Sequence, residues 1–108
     1  MPLIDHDSAG PVEMLPGVVR RTLTDGDSMM LIEVTIDEGA VVPTHTHPHE
    51  QTGYLISGRF LFEIGDEKRE IGPGDCWLVP SGVPHQVTAL EPSVCVDIFS
   101  PPREEYRP

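Results

Sequence analysis

Apolar and polar residues alternate along this chain in short runs. Met30, Ile32, Val34 and Ile36 put an apolar side chain at every second position, with Glu33 and Thr35 between them. Side chains two apart on an extended strand share a face, so the run predicts a strand over 29–36 with one face in a core. Phe60, Phe62 and Ile64 repeat the pattern over 59–64, and His85, Val87 and Ala89 repeat it over 85–90. Over 93–100, Cys95, Asp97 and Phe99 lie opposite Val94, Val96 and Ile98. Further strands are predicted over 18–23, 52–57 and 68–71, and a buried one over 76–79. Turn signals separate them, among them Asp25-Gly26, Asp37-Glu38-Gly39, Gly65-Asp66 and Gly72-Pro73-Gly74-Asp75. No segment carries a long apolar period of 3.6, so helix is a minor component. Short strands with turns about every 8 to 12 residues predict an all-β fold, a closed barrel or a double-sheet jelly roll.

Residues 1–16, punctuated by Pro11 and Pro16, read as an arm or edge strand, and residues 101–108 as a charged tail. The 108 residues make one domain, 1–108, long enough to bury a core without staples. Cys76 and Cys95 sit in apolar stretches without a Cys-x-x-Cys pattern, so both read as reduced core residues of a cytoplasmic protein. The first residues have no basic start or apolar run, so no signal peptide is expected, and no stretch has the length of a membrane span.

A net charge of −11 argues against nucleic acid, whose phosphates would be repelled. The expected partner is a small molecule. An anionic one needs a local cation, either a metal or a placed arginine, because screening over about 8 Å makes local groups outweigh the global charge. The strands over 29–36 and 94–99 look apolar on both faces. Only one face of a single-layer wall is buried, so a homodimer is expected to cover the other.

The chemistry concentrates in Thr44-His45-Thr46-His47-Pro48-His49-Glu50-Gln51, which holds three of the five histidines. On one strand, His45 and His47 would aim both imidazoles at one point, and imidazole is the commonest protein ligand of transition metals. Pro48 implies a bend that turns Gln51 back toward that point and leaves His49 outside it. A further ligand must come from elsewhere, and His85, after Pro80-Ser81-Gly82-Val83-Pro84, is the best placed.

Two motifs resemble those of the cupin family. The first runs from Gly39 through His45, His47 and Gln51 to Gly58; the second runs from Gly74 through Pro80 and Gly82 to His85. The resemblance implies a small single-domain jelly-roll β-barrel holding one divalent transition metal through His45, His47, Gln51 and His85. Zinc, nickel, manganese, iron and cobalt all suit such a set. The usual glutamate of the motif is Gln51 here, and Ala89 stands where an asparagine is frequent.

The C-terminal stretch Asp97-Ile98-Phe99-Ser100-Pro101-Pro102-Arg103-Glu104-Glu105-Tyr106 is similar to the ending of KdgF-type cupins, which ketonise the 4,5-unsaturated monouronates released by pectin and alginate lyases. The resemblance implies substrate-site roles for Asp97, Phe99 and Arg103. The residues fit these roles by themselves. A carboxylate on an apolar face needs a partner or a task; burial would raise the pKa of Asp97 toward values useful for proton transfer, while a nearby metal would lower it. Arg103 offers a two-pronged fork for a carboxylate. With three imidazoles and an amide, a bound metal keeps its full positive charge, which favours Lewis-acid chemistry on an anionic sugar over oxygen chemistry. A small metal-dependent dioxygenase and a non-catalytic sugar- or metal-binding module are the alternative functions.

Overall fold

A computed structural model describes residues 2–108. Ten strands follow in order: β1 Pro11–Leu15, β2 Val18–Asp25, β3 Met30–Ile36, β4 Val41–His45, β5 Glu50–Ser57, β6 Phe60–Ile64, β7 Glu67–Ile71, β8 Cys76–Val79, β9 His85–Ala89 and β10 Ser93–Ser100. Helix is confined, among the described residues, to two single 3-10 turns, His6–Ser8 and Glu104–Tyr106. The strands form two antiparallel sheets, one of order β1-β2-β3-β10-β5-β8 and one of order β4-β9-β6-β7. This is a jelly roll. Among the described residues no strand pairing closes the two sheets into one continuous barrel.

The alternation read from the sequence sets the faces. Met30, Ile32, Val34 and Ile36 are buried on β3, and Cys95, Asp97 and Phe99 on β10, while Ile98 points outward. These inward rows meet Phe60, Phe62, Val87 and Ala89 of the small sheet in one core. Dispersion and burial of this interior hold the sheets together.

Two expectations change. Cys76 is exposed, and 76–79 is only half buried, because β8 is an edge strand whose Cys76 and Leu78 face outward while Trp77 and Val79 face the core. The histidine stretch is not one strand: β4 ends at His45, and His47 lies in the loop before β5. The charged tail folds back onto the rest of the chain. Thr22 Oγ1 donates to the Tyr106 carbonyl at 2.6 Å, Arg107 pairs with Asp25 at 3.3 Å, and Tyr106 packs on the core. Within residues 1–16, β1 lies at the edge of the large sheet and, among the described residues, pairs with β2 alone.

Candidate metal centre

The antiparallel register of β4 and β9 sets His45 directly opposite His85. Their ring centroids are 4.2 Å apart, and His47 approaches both, at 5.6 Å and 4.9 Å. One ligand nitrogen from each of the three lies within 4.8 Å of the other two. The loop that carries His47 is tied to the loop before β9, since Gly82 N–H donates to the His47 carbonyl at 2.9 Å. Gly82 has φ +78°, a conformation that glycine adopts without strain.

The backbone fixes the imidazole orientations. His45 Nδ1 lies 2.9 Å from the Pro43 carbonyl, His47 Nδ1 3.1 Å from the His49 carbonyl, and His85 Nδ1 3.0 Å from the Val83 carbonyl. A carbonyl only accepts, so each Nδ1 carries the proton and each Nε2 presents a lone pair. His85 Nε2 is buried without a hydrogen-bond partner. Burial, reinforced by the neighbouring His45, His47 and Arg103 charges, pushes the His85 pKa down to about 4. Burial and the Arg103 charge lower that of His47 as well.

Gln51, on β5, completes the group. Its Nε2 donates to Asp97 Oδ1 at 2.9 Å, which leaves Oε1 3.0 Å from His47 Nε2. With His47 protonated at Nδ1, those two facing atoms are both acceptors. Such a contact calls for a cation, either an extra proton on His47, which burial disfavours, or a metal ion. The orphaned His85 Nε2 and this acceptor pair fit a divalent metal. His49 is outside the three-histidine group; it lends its carbonyl to His47 and its ring lies 6.4 Å from Phe99.

The three C-terminal candidates border the same cavity, of about 60 Å³, together with His45, Gln51 and His85. Phe99 packs edge-on against His47 at 5.6 Å. Arg103 has its guanidinium carbon 4.2 Å over Tyr106 and 5.3 Å over Phe99, and its Nε pairs with Glu105 at 2.7 Å. This hydrogen bond holds the Glu105 carboxyl below its ordinary pKa. Asp97 is buried, and burial raises its pKa to about 6, against the opposing pull of the Gln51 and Trp77 hydrogen bonds and the Arg103 charge. Both donors converge on Oδ1. Oδ2 has only the Cys95 thiol, at 4.0 Å.

Four participants were not singled out from the sequence. Trp77 Nε1 donates to Asp97 Oδ1 at 2.8 Å. Gly53 leaves the space in which they meet, because a Cβ there would overlap Asp97 Oδ1 and the Trp77 indole. A glycine inside a strand is a signal of such close approach. Tyr106 lies under Arg103 and also under Arg20, whose guanidinium carbon is 4.4 Å from the ring and whose buried Nε has no acceptor. Arg20 and Tyr106 carry no local signal, since they reach the site through the folded-back tail.

Comparisons with known proteins agree with this arrangement. The Cupin domain family matches residues 32–99. The pectin degradation protein KdgF of Dickeya dadantii (strain 3937) is 34% identical over 96 residues, 87% of each chain. The structure of KdgF from Halomonas sp. superposes with a TM-score of 0.92 at 34% identity, covering 97% of this chain and 99% of that one. Oxalate decarboxylase OxdC of Bacillus subtilis (strain 168) is 33% identical over 79 residues, 68% of this chain but 20% of that larger protein. With three histidines poised around one point between the two sheets of a jelly roll, and with the family match spanning most of its strands, the chain belongs to the cupin family as a small single-domain member.

Proposed function

We propose that this cupin binds one divalent transition metal through His45, His47, His85 and Gln51 and converts 4,5-unsaturated monouronates, from pectin or alginate breakdown, to their open-chain keto form. The observation that carries the reading is that Asp97, Phe99 and Arg103 border one cavity with His45, Gln51 and His85. The likeness to the pectin degradation protein KdgF over 87% of the chain supports the substrate class.

The conversion is an isomerisation and needs no oxidant. Ring opening moves the anomeric hydroxyl proton to the ring oxygen and releases an enol. Ketonisation then moves the enol proton to the adjacent C4. A bound divalent metal supplies a Lewis acid for the substrate oxygens. The chain's own groups do the rest. Asp97 takes and returns a proton at Oδ2, the oxygen free of the Gln51 and Trp77 hydrogen bonds, and burial raises its pKa in the metal-free chain to about 6, which a nearby metal would lower. Arg103 holds the substrate carboxylate, and Phe99 shapes the wall beside His47.

The cavity of about 60 Å³ is far smaller than the roughly 300–1,000 Å³ of an ordinary ligand pocket, so part of a six-carbon acid would lie outside it. A shallower depression of about 500 Å³, sharing His45, Arg103 and Tyr106 with the cavity, receives the remainder. The test is incubation of the metal-loaded protein with 4,5-unsaturated galacturonate, followed by loss of the conjugated absorbance. An inert substrate rejects the reading. Oxygen uptake with a redox metal bound would turn it toward a dioxygenase, and sugar-acid binding without turnover toward a non-catalytic module.

A further inference from the structure

Across the large sheet, the register places Asp97 of β10, Gly53 of β5 and Trp77 of β8 in one cross-strand row. The middle position has no side chain, so the two outer ones meet over it, Nε1 to Oδ1 at 2.8 Å. Gln51 stands two residues before Gly53 on the same face and reaches the same oxygen at 2.9 Å.

We propose that Trp77 is a positioning residue for the metal centre: its indole N–H, acting through Asp97 Oδ1, fixes Gln51 with Oε1 toward the histidines. An indole nitrogen can only donate. Oδ1 is therefore held as an acceptor, and a proton on Asp97 is better placed on Oδ2, because a carbonyl-type oxygen accepts the indole and amide N–H bonds more strongly than a hydroxyl oxygen. Gln51 meets an acceptor in either state of Asp97, so its Nε2 points there and its Oε1 points at His47 Nε2, 3.0 Å away. A freely turning carboxyl could present O–H to Gln51 and invite the amide to flip, which would aim an NH2 group at the metal. The Trp77 N–H disfavours that route, since it is best met by a carbonyl-type Oδ1, and so tends to separate the proton-carrying oxygen from the ligand-orienting one.

The inference rests on the metal reading of Gln51, and the test is built to tell the two apart. Affinity for Ni2+ is measured by chelator competition, together with the absorption spectrum of the Co2+ form, in Gln51→Leu, Trp77→Phe, Asp97→Asn and Asp97→Leu. Asn at 97 keeps an acceptor oxygen at the Oδ1 position and should match the wild type within about threefold. Trp77→Phe and Asp97→Leu should each bind more weakly by about tenfold to a hundredfold, the usual effect of losing a partner that orients a ligand, with an altered Co2+ spectrum. An unchanged affinity in Gln51→Leu defeats the metal reading itself. Weak binding in Gln51→Leu with wild-type affinity in Trp77→Phe defeats the positioning inference alone. If Trp77→Phe does not fold, the Asp97 pair decides, because equal affinities of the Asn and Leu variants overturn the orienting role of Oδ1.

Discussion

His45 and His85 face each other across β4 and β9, as direct register partners with ring centroids 4.2 Å apart. Forty residues of chain separate them, yet the small sheet makes them neighbours before any metal arrives. Their Nδ1 atoms are held by the Pro43 and Val83 carbonyls, so the metal-facing lone pairs are set by backbone.

This organisation predicts one metal per chain and a sharp split among the histidines. His45→Ala, His47→Ala and His85→Ala should each weaken metal binding by about a hundredfold or more. His49→Ala, which keeps the backbone carbonyl that holds His47, should change it little. Elemental analysis and chelator competition decide. Tight metal binding by His85→Ala, or its loss in His49→Ala, would refute the assignment.

Much of this centre was legible in the sequence. The spacing of His45, His47 and Gln51 and the Pro80-to-Pro84 lead into His85 pointed to it, and Asp97 stood out as a carboxylate on an apolar face. Alternation also gave the buried sides of β3, β6 and β10. What it could not give is adjacency. The row Asp97–Gly53–Trp77 joins strands distant in sequence, and a period of two says nothing of which strands are neighbours. The same blindness misplaced Cys76, since an apolar stretch on an edge strand looks like one in the middle of a sheet. Nor does it show where the charged tail lies, because its anchor, the Thr22 hydroxyl on the Tyr106 carbonyl, spans 84 positions.

Asp97→Asn separates chemistry from architecture. The isostere keeps an acceptor for Trp77 and Gln51 and loses basicity at the other oxygen. Turnover of an unsaturated uronate is expected to fall by about a hundredfold or more, with metal affinity retained. Steady-state kinetics on the metal-loaded variant check it. Wild-type turnover would remove Asp97 from the proton path.

Arg103→Ala acts on binding. It removes a cation that is only partly offset by Glu105 and that lines both the inner cavity and the outer depression. KM should rise by roughly tenfold to a hundredfold, in line with about 1.5–3 kcal/mol for a charged hydrogen bond, with a smaller change in kcat. An uncharged sugar analogue should not feel the substitution. An equal loss for charged and uncharged ligands would mean that Arg103 only holds the tail.

The metal-free protein carries two opposed pH dependences. His85 titrates at about 4 when folded and at 6.5 when unfolded, so the unfolded chain binds more protons between these values, and stability falls as pH drops through them. His47, also lowered, adds to that loss. Asp97 runs the other way. Its folded value of about 6 lies above the ordinary 3.8, so the folded chain binds the proton first, and its contribution is lost as pH rises through 6. A shift of about two units corresponds to roughly 3 kcal/mol. Relative to Asp97→Asn, the wild type should therefore gain about that much stability between pH 7 and pH 4. Denaturant titrations of both metal-free proteins at pH 7, 5.5 and 4 measure it, and a difference that stays constant across pH would contradict a raised Asp97.

The outer face of the large sheet supports the last prediction, a homodimer. Tyr54 and Ile56 of β5, Leu78 of β8 and Ile98 of β10 are all exposed, on three adjacent strands whose opposite face is core. Val96 sits opposite Tyr54 in the register, and Ile98 sits opposite Leu31, which extends the apolar surface to β3. A second copy is the occupant that meets this face with an equally apolar one, as a two-fold interface requires. Light scattering at micromolar concentration should give twice the chain mass, and Leu78→Glu should give a monomer that still binds metal, because Leu78 points away from the cavity. A monomeric wild type, or a Leu78→Glu dimer, would place the interface elsewhere or nowhere.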